Sequence, residues 1–536
     1  MPHISNLPDN VLVLILLRAA AATPAKNLSE WKTKLPLLAV CRTWTILAQS
    51  FVFYHVYVEF ATPPNSRLGT HLLWTSNADL FISRGCVLTA RHLTIEWAGE
   101  ATIDHIRSVV LDILKLDRVD WQHINSLVFT ELTRASRCPD SPDSRCKQAV
   151  TDTAHIVQCF ERSLRNVAKL KLYDLNRGPT GECLYASLIT SYGYRLQVLH
   201  ARSHIPFPSS CYMKTIKLLE LNLDSAAARV LPSMCGETLK VMKLVNVPRN
   251  FAWHYFRYDV FVRAITFRQL TRLHLAFEDT GEVLTKGEMQ DKVDSGANNC
   301  DHLEFPALKQ LTILNCTPDC DLLYADIQLP ELEKVVLSGP ATSICHCSRL
   351  KLAWVRDLHV TIFRYVSGNA AGVYRATNHF FTNICIGRTA SLRVMVDWFI
   401  LDPDVMRWAN ITKFEVGMVD YVVICQAISQ LPNLCELAIY RLKLTLADSG
   451  GFTIDSSLFI SADPIMSWGE RLTTVKITRF YEDYPLPVSA HSIQALIRNA
   501  GALNRLDVPE STKRSIVTFI NEYMNRHPYL ANITIY

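Results

Sequence analysis

One short pattern, apolar-x-x-apolar-x-apolar, recurs along most of this 536-residue chain and limits what it can fold into. The closing x-apolar-x-apolar is a strand with one buried face. Such a strand cannot cover that face alone, so copies returning at intervals of tens of residues must stack on one another as a solenoid. The clearest copies are Leu164-x-x-Val167-x-x-Leu170-x-Leu172, Leu239-x-x-Met242-x-Leu244, Leu270-x-x-Leu273-x-Leu275, Leu308-x-x-Leu311-x-Ile313 and Leu332-x-x-Val335-x-Leu337. Val355-x-x-Leu358-x-Val360, Ile411-x-x-Phe414-x-Val416, Leu434-x-x-Leu437-x-Ile439, Leu472-x-x-Val475-x-Ile477, Leu503-x-x-Leu506-x-Val508 and Leu530-x-x-Ile533-x-Ile535 continue it, and weaker copies begin near Ile124 and Leu196.

The expected fold class is an α/β solenoid with an irregular leucine-rich-repeat array whose parallel sheet lines the concave face. Copies lie about twenty to forty residues apart, wider than the 20–29 of regular leucine-rich repeats, so several units carry longer helices or loops. Helical returns are expected at Thr153–Leu164, Ser492–Leu503 and Thr512–Met524 from their apolar spacing. The polar stretches Arg134–Cys146 and Asp279–Cys300 read as exposed loops. Residues between the buried pairs face a partner, and they include Lys171, Lys243, His274, His359, Lys476 and Asp507. These are the candidate target-binding residues.

A hydrophobic fraction of 49% with 20% charged residues describes a folded chain. The net charge of +5 is slight and no run of lysine or arginine marks a phosphate-tracking stripe, so no nucleic acid is expected. Sixteen cysteines without paired spacings, and no secretory signal ahead of them, indicate reduced thiols in the cytoplasm or nucleus. In such a compartment the sequons at Asn27, Asn315, Asn410 and Asn532 carry no glycan. The run from Val11 to Ala22 is too short for a membrane span and is interrupted by Arg18, so no membrane association is expected.

The first sixty residues differ from the rest. Pro8 suits a first helical turn and Asp9 the positive end of its dipole. Every residue from Val11 to Leu17 is apolar, so this helix needs cover on all sides. A second helix is expected from Pro36, carrying Leu38, Cys41 and Trp44. A strand follows at Phe51–Val58, rich in aromatic and β-branched residues.

Leu7-Pro8, then Val11-Leu12-x-x-Ile15-Leu16, then Val40-Cys41-Arg42-x-Trp44 resembles the F-box, the helical module that docks on the adaptor subunit of SCF-type ubiquitin ligases. The long insert followed by Leu35-Pro36-Leu37-Leu38-Ala39-Val40-Cys41-Arg42 is similar to fungal F-box proteins. Carried over, the resemblance makes Leu7, Pro8, Val11, Leu12, Ile15, Val40 and Trp44 the adaptor-binding residues. It departs from the family at Asn10, where a glutamate is common, and in the length of Ala19–Lys34. The implied organisation is an N-terminal all-helical F-box module at 1–60, a linker and entry to the repeats at 61–90, and a degenerate leucine-rich-repeat domain at 91–536. The implied partners are the SCF adaptor, through it a cullin, and a target protein.

No Gly-rich phosphate loop, His-Glu-x-x-His pair or Gly-x-Ser-x-Gly turn is present, so the chain is not expected to be an enzyme or to need a cofactor. Cys316, Cys320, Cys345, His346 and Cys347 bring zinc-ligand types together, but Cys-x-Cys is a poor structural-zinc spacing and no metal is expected. A substrate receptor is therefore the first expectation, and a repeat scaffold without a ligase role the alternative. After denaturation of freshly isolated protein without reductant, nearly all sixteen cysteines should react with a thiol reagent; several missing thiols would contradict the compartment reading.

Overall fold

The structure, a computed structural model, describes residues 8, 11, 27–39, 48–49, 52–61, 73–97, 103–131, 142–173, 179–201, 213–222, 237–247, 267–277, 303–315, 327–340, 344, 347, 352, 355–363, 379–382, 388–396, 408–420, 423–424, 427–428, 430–443, 471–480, 502–523 and 531–536. The chain divides into two units, Met1–Val245 with His254–Phe267, and Asn246–Trp253 with Arg268–Tyr536.

The first unit carries β1 (His55–Ala61), β2 (Leu73–Ser76), β3 (His92–Trp97), β4 (Ser126–Glu131), β5 (Lys169–Tyr173), β6 (Val198–Ala201), β7 (Leu218–Asn222) and β8 (Val241–Val247). From β1 through β3 to β8 each strand pairs in parallel with the next, and β2 lies antiparallel on the far side of β1. Among the described residues its α-helices include α1 (Leu28–Lys32), α2 (Ala78–Ser83), α3 (Ile103–Ser108), α4 (Pro142–Ser163) and α5 (Pro179–Tyr192). The second unit runs β9 (Arg272–Phe277), β10 (Leu303–Glu304), β11 (Gln310–Leu314), β12 (Ile327–Gln328), β13 (Lys334–Pro340), β14 (Asp357–Phe363), β15 (Ser391–Val396), β16 (Lys413–Asp420), β17 (Glu436–Lys443), β18 (Thr474–Phe480), β19 (Arg505–Asp507), α6 (Glu510–Tyr523) and β20 (Thr534–Ile535). All except β10 and β12, which pair with each other, form one parallel ladder in chain order.

The recurring apolar residues stand in register. Leu93, Leu127, Leu170, Leu199, Leu219 and Met242 form one buried column of the first unit, and Ile95, Phe129, Leu172, Ala201, Leu221 and Leu244 a second. In the second unit Leu273, Leu311, Val335, Leu358, Leu392, Phe414, Leu437, Val475 and Leu506 align in the same way. Burying each such side chain contributes about 1.5–3 kcal/mol, which makes a register slip costly everywhere at once.

From β3 to β8, and in β11 and β13 to β19, each strand begins on a two-to-one hydrogen bond. The Arg91 carbonyl accepts the N–H groups of Asn125 and Ser126, Asn125 accepts from Ala168 and Lys169, and Ala168 accepts from Gln197 and Val198. In the second unit Thr271 serves Lys309 and Gln310, Lys309 serves Glu333 and Lys334, and the relay continues through Glu333, Arg356, Ala390, Thr412, Cys435 and Thr473 to Asn504 and Arg505. Ahead of several relays a four-residue turn closes on two buried residues, as in Trp121/Ile124, Met213/Ile216, Phe305/Leu308, Leu329/Leu332, Trp408/Ile411 and Leu431/Leu434. Side chains reinforce it: the Thr389 hydroxyl donates to the Val355 carbonyl at 2.9 Å and the Asn433 amide to the Ala409 carbonyl at 2.6 Å.

The helices of the first unit cover the buried face through aromatic side chains. Phe129 meets Phe160 of α4 edge-on at 5.7 Å, and Trp97 stacks on Tyr185 of α5 at 6.0 Å. The helix expected from Thr153 starts earlier, at Pro142, inside the stretch read as a loop; proline at the first turn lacks only an N–H that would have no helical partner. The helix expected at Thr512–Met524 is α6.

Other expectations are corrected. Leu35–Ala39 is a 3-10 helix with Pro36 inside it rather than the start of an α-helix, and α1 occupies the insert, where the Asn27 side chain caps the Glu30 N–H at 2.8 Å. The strand expected at Phe51–Val58 begins at His55, because Val52 to Tyr54 complete a helical turn with Phe53 bonded back to Gln49. The span 61–90, expected as a linker and entry to the repeats, carries β2 and α2. At the far end Ile535, not Ile533, pairs with Leu506, so the last copy is shifted by two residues and Ile533 is buried just before its strand. Asp279–Cys300 and nearly all of Ser492–Leu503 lie outside the described residues, and an all-helical F-box is not among them.

Gly417 of β16 stands close against the backbone of β15. A Cβ there would sit 2.8 Å from the Val396 carbonyl oxygen and 2.9 Å from its nitrogen, both backbone atoms with no freedom to swing aside. Gly417→Ala should therefore cost about 1–3 kcal/mol, read as a lower urea midpoint, whereas Gly85→Ala tests a different effect, a positive φ of 63° with no atom near the added methyl.

Candidate functional site: the open face of the sheet

Alternation sends every second strand residue away from the buried columns. On the open face of the first unit, Thr94, Val128, Lys171, His200, Glu220 and Lys243 stand side by side on successive strands. Glu220 is the hub: His200 Nδ1 lies 2.9 Å from Oε2 and Lys243 Nζ lies 3.1 Å from Oε1. Burial of the Glu220 side chain, only 9% exposed, opposes its ionisation, but Lys243 and His200 outweigh it and hold the carboxyl below its usual range. Lys243 is thus engaged, while Lys171 is partly exposed beside His200.

At the β1 end of this face two imidazoles are packed in. His55 stacks on Tyr57 at 4.0 Å, its Nε2 lies 2.7 Å from the Thr94 hydroxyl, and the His92 ring is 5.4 Å away. Burial first, then His92 and the cations Lys171 and Lys34, push His55 down to about 3, and burial with Lys169 and Lys171 pushes His92 down to about 4. Tyr57 is fully buried although it points to the open side. Near it the N-terminal segment is clasped to the sheet: Trp31 Nε1 donates to the Val52 carbonyl at 2.6 Å, the Leu28 N–H donates to the Glu59 carboxylate, and Trp31 meets Phe53 edge-on.

The second unit repeats the charge pairing. Lys334 reaches Asp357 at 2.7 Å, Arg393 reaches Glu415 at 3.3 Å, and Lys413 lies 3.2 Å from Glu415 and 3.5 Å from Glu436. His359 lies 3.3 Å from the Thr361 hydroxyl, and burial with Arg393 beside it lowers its pKa. Asp507 is held by Arg505 on both oxygens, at 3.1 and 3.2 Å. His274 is half-buried in β9 and Lys476 is exposed in β18. The candidate residues therefore share one face within each unit by alternation, but Lys243 is engaged by Glu220 and Asp507 by Arg505, partners that the sequence reading overlooked. Glu220, Glu415 and Asp357 were legible only as alternate strand residues; their partners follow from register.

Of the expected adaptor-binding residues, Pro8 is exposed, and Val11 is half-buried and closes a turn on the Pro8 carbonyl at 2.9 Å. Leu7, Leu12, Ile15, Val40 and Trp44 lie outside the described residues, as do Cys316, Cys320, Cys345 and His346. Cys86, Cys159 and Cys435 are free thiols, and Cys347 is fully buried. No group of three metal-ligating side chains is found among the described residues, and no described helix is long and apolar enough to cross a membrane.

The two imidazoles give stability a sign with pH. Between roughly pH 6.5 and 4 the unfolded chain protonates both while the folded chain does not, so the unfolded state binds more protons and folding weakens as pH falls. Each contributes up to about 1.4 kcal/mol per pH unit in that window. Thermal melting of wild type from pH 7 to pH 5 should fall steeply, and His55→Gln with His92→Gln should flatten the slope; parallel slopes would contradict the assignment.

Searched against family models the chain has no match, and among curated proteins none matches it either.

Proposed function

We propose that the chain is the substrate-recognition subunit of an SCF-type ubiquitin ligase, with an F-box at residues 1–60 docking on the adaptor and the repeat sheets holding a target protein. The observation that carries this reading is the joint spacing of the two N-terminal anchors, Leu7-Pro8 through Ile15 and Val40 through Trp44, immediately ahead of a stacked parallel sheet. The exposure of Pro8 is compatible with a surface awaiting a partner. In this reading the chain catalyses nothing: holding a target lysine beside a charged conjugating enzyme raises its effective concentration. The polar open faces suit a protein target better than an apolar small molecule, and the chain works in the cytoplasm or nucleus.

One observation favours a second reading. Trp31 and Leu28 are tied to Val52 and Glu59, so part of the N-terminal region serves as a cap on the first strand, as it would in a scaffold with no ligase role. The two readings place Leu7 and Pro8 in opposite surroundings. With an adaptor bound there, Leu7→Ala with Pro8→Ala should abolish co-purification with adaptor and cullin, losing at least about 2 kcal/mol of binding, while the melting of the repeats stays nearly unchanged. As a cap, the same change should lower the melting temperature at a cost of about 2–5 kcal/mol for the leucine, with no adaptor to lose. A wild-type chain that binds no adaptor in excess, together with an early-melting variant, would overturn the ligase reading.

A further inference from the structure

Among the described residues of the second unit, the pairing of charges lapses across two adjacent strands, β17 and β18. In β13 to β16 the basic strand residues Lys334, Arg393 and Lys413 each have a carboxylate from their own or a neighbouring strand. In β17 and β18 the exposed residues Arg441, Arg479 and Lys476 have no ion-pair partner among the described residues; Lys476 alternates onto the open face, while Arg441 and Arg479 lie at the strand ends beyond the buried Ile439 and Ile477, where the alternation breaks and Leu442 turns inward. The acids closest by register are already engaged: Glu436 with Lys413, and Asp507 through both oxygens with Arg505.

Arg441 and Arg479 are direct register partners on adjacent parallel strands, which puts their backbones about 4.8 Å apart. Like charges in that position repel and weaken a sheet. Lys476 stands three residues before Arg479, about 10 Å along the strand. Tyr440, 44% exposed, adjoins Arg441 and offers a flat apolar contact beside the cations.

We infer that Arg441, Arg479 and Lys476 bind an extended acidic segment of a protein, whose aspartates and glutamates supply the carboxylates that the neighbouring strands supply elsewhere on this face. The spread of the cations decides between anion types. One phosphate would engage the two arginines and leave Lys476 about 10 Å away, whereas side chains two residues apart on an extended segment repeat about every 7 Å and span all three. The inference rests on the proposed function only in assigning that segment to a target; the binding itself needs neither adaptor nor cullin.

The test is fluorescence anisotropy of the full chain with a labelled, short Asp/Glu-rich peptide at low salt, beside a neutral peptide bearing one phosphoserine. The acidic peptide should bind, and added salt should weaken it. Arg441→Gln with Arg479→Gln should raise its Kd about tenfold or more, and Lys476→Gln should weaken it as well. Lys115→Gln, a cation of the other unit already paired with Asp79, should leave it unchanged. The double variant should melt no lower than wild type, since it removes a repulsion. Equal binding by wild type and both β17–β18 variants, no binding of the acidic peptide, or a preference for the phosphoserine peptide would each overturn the inference. A chain that binds the peptide but never the adaptor would overturn the ligase reading alone.

Discussion

Everything in this molecule hangs on a carbonyl that accepts two N–H groups from the next turn. That bond sets where each strand begins, and strand start sets register; register then stacks Leu170 on Leu127 and Val335 on Leu311. An unpaired buried backbone group costs about as much as a lost hydrogen bond, so the chain must return to this point after every excursion. What it does between returns is free. That freedom is why Lys309 and Glu333 are linked across a short interval while Asn125 and Ala168 are linked across one that includes the 22-residue α4.

The open faces follow from the same register. Parallel pairing puts equivalent residues of successive repeats next to one another, so a charge in one repeat is answered or repelled by the next. Glu220 between His200 and Lys243, and Glu415 between Arg393 and Lys413, are the answered cases. Partly exposed pairs of this kind contribute little to stability, about 0–1 kcal/mol each, and their larger effect is to decide which cations remain uncompensated.

Much of this was legible in the sequence, and the failures have physical causes. The strands at Leu170, Met242, Leu273, Leu311, Val335, Leu358, Phe414, Leu437 and Val475 were readable because their corner and strand positions are all large and apolar. Among the strands of the two parallel ladders, three escaped notice. In β7 the adjacent Leu218 and Leu219 blur the alternation, and only the structure shows Leu219 inside. In β15 the corner is Thr389, fully buried yet tolerated because its hydroxyl is bonded to Val355. In β3 the corner is Ala90, too small to stand out. The pattern itself was also one residue type short: the turn's opening residue, such as Trp408 or Leu431, is buried too, so the true signature begins three residues earlier. The face of each candidate site residue was readable from alternation; its partner was not, because cross-strand neighbours are set by loop lengths that no local pattern encodes.

The clasp at Trp31 has a mechanical meaning. Along the chain, Trp31 and Val52 are 21 residues apart, a tether that would let its two ends wander; through the indole N–H they are a single 2.6 Å contact. The segment from Leu28 to Trp31 is therefore coupled to the first strand by a strut and not by a leash. A strut fixes bearing as well as distance, so a load attached at one side keeps its orientation to the sheet instead of sampling the volume a flexible connector would sweep.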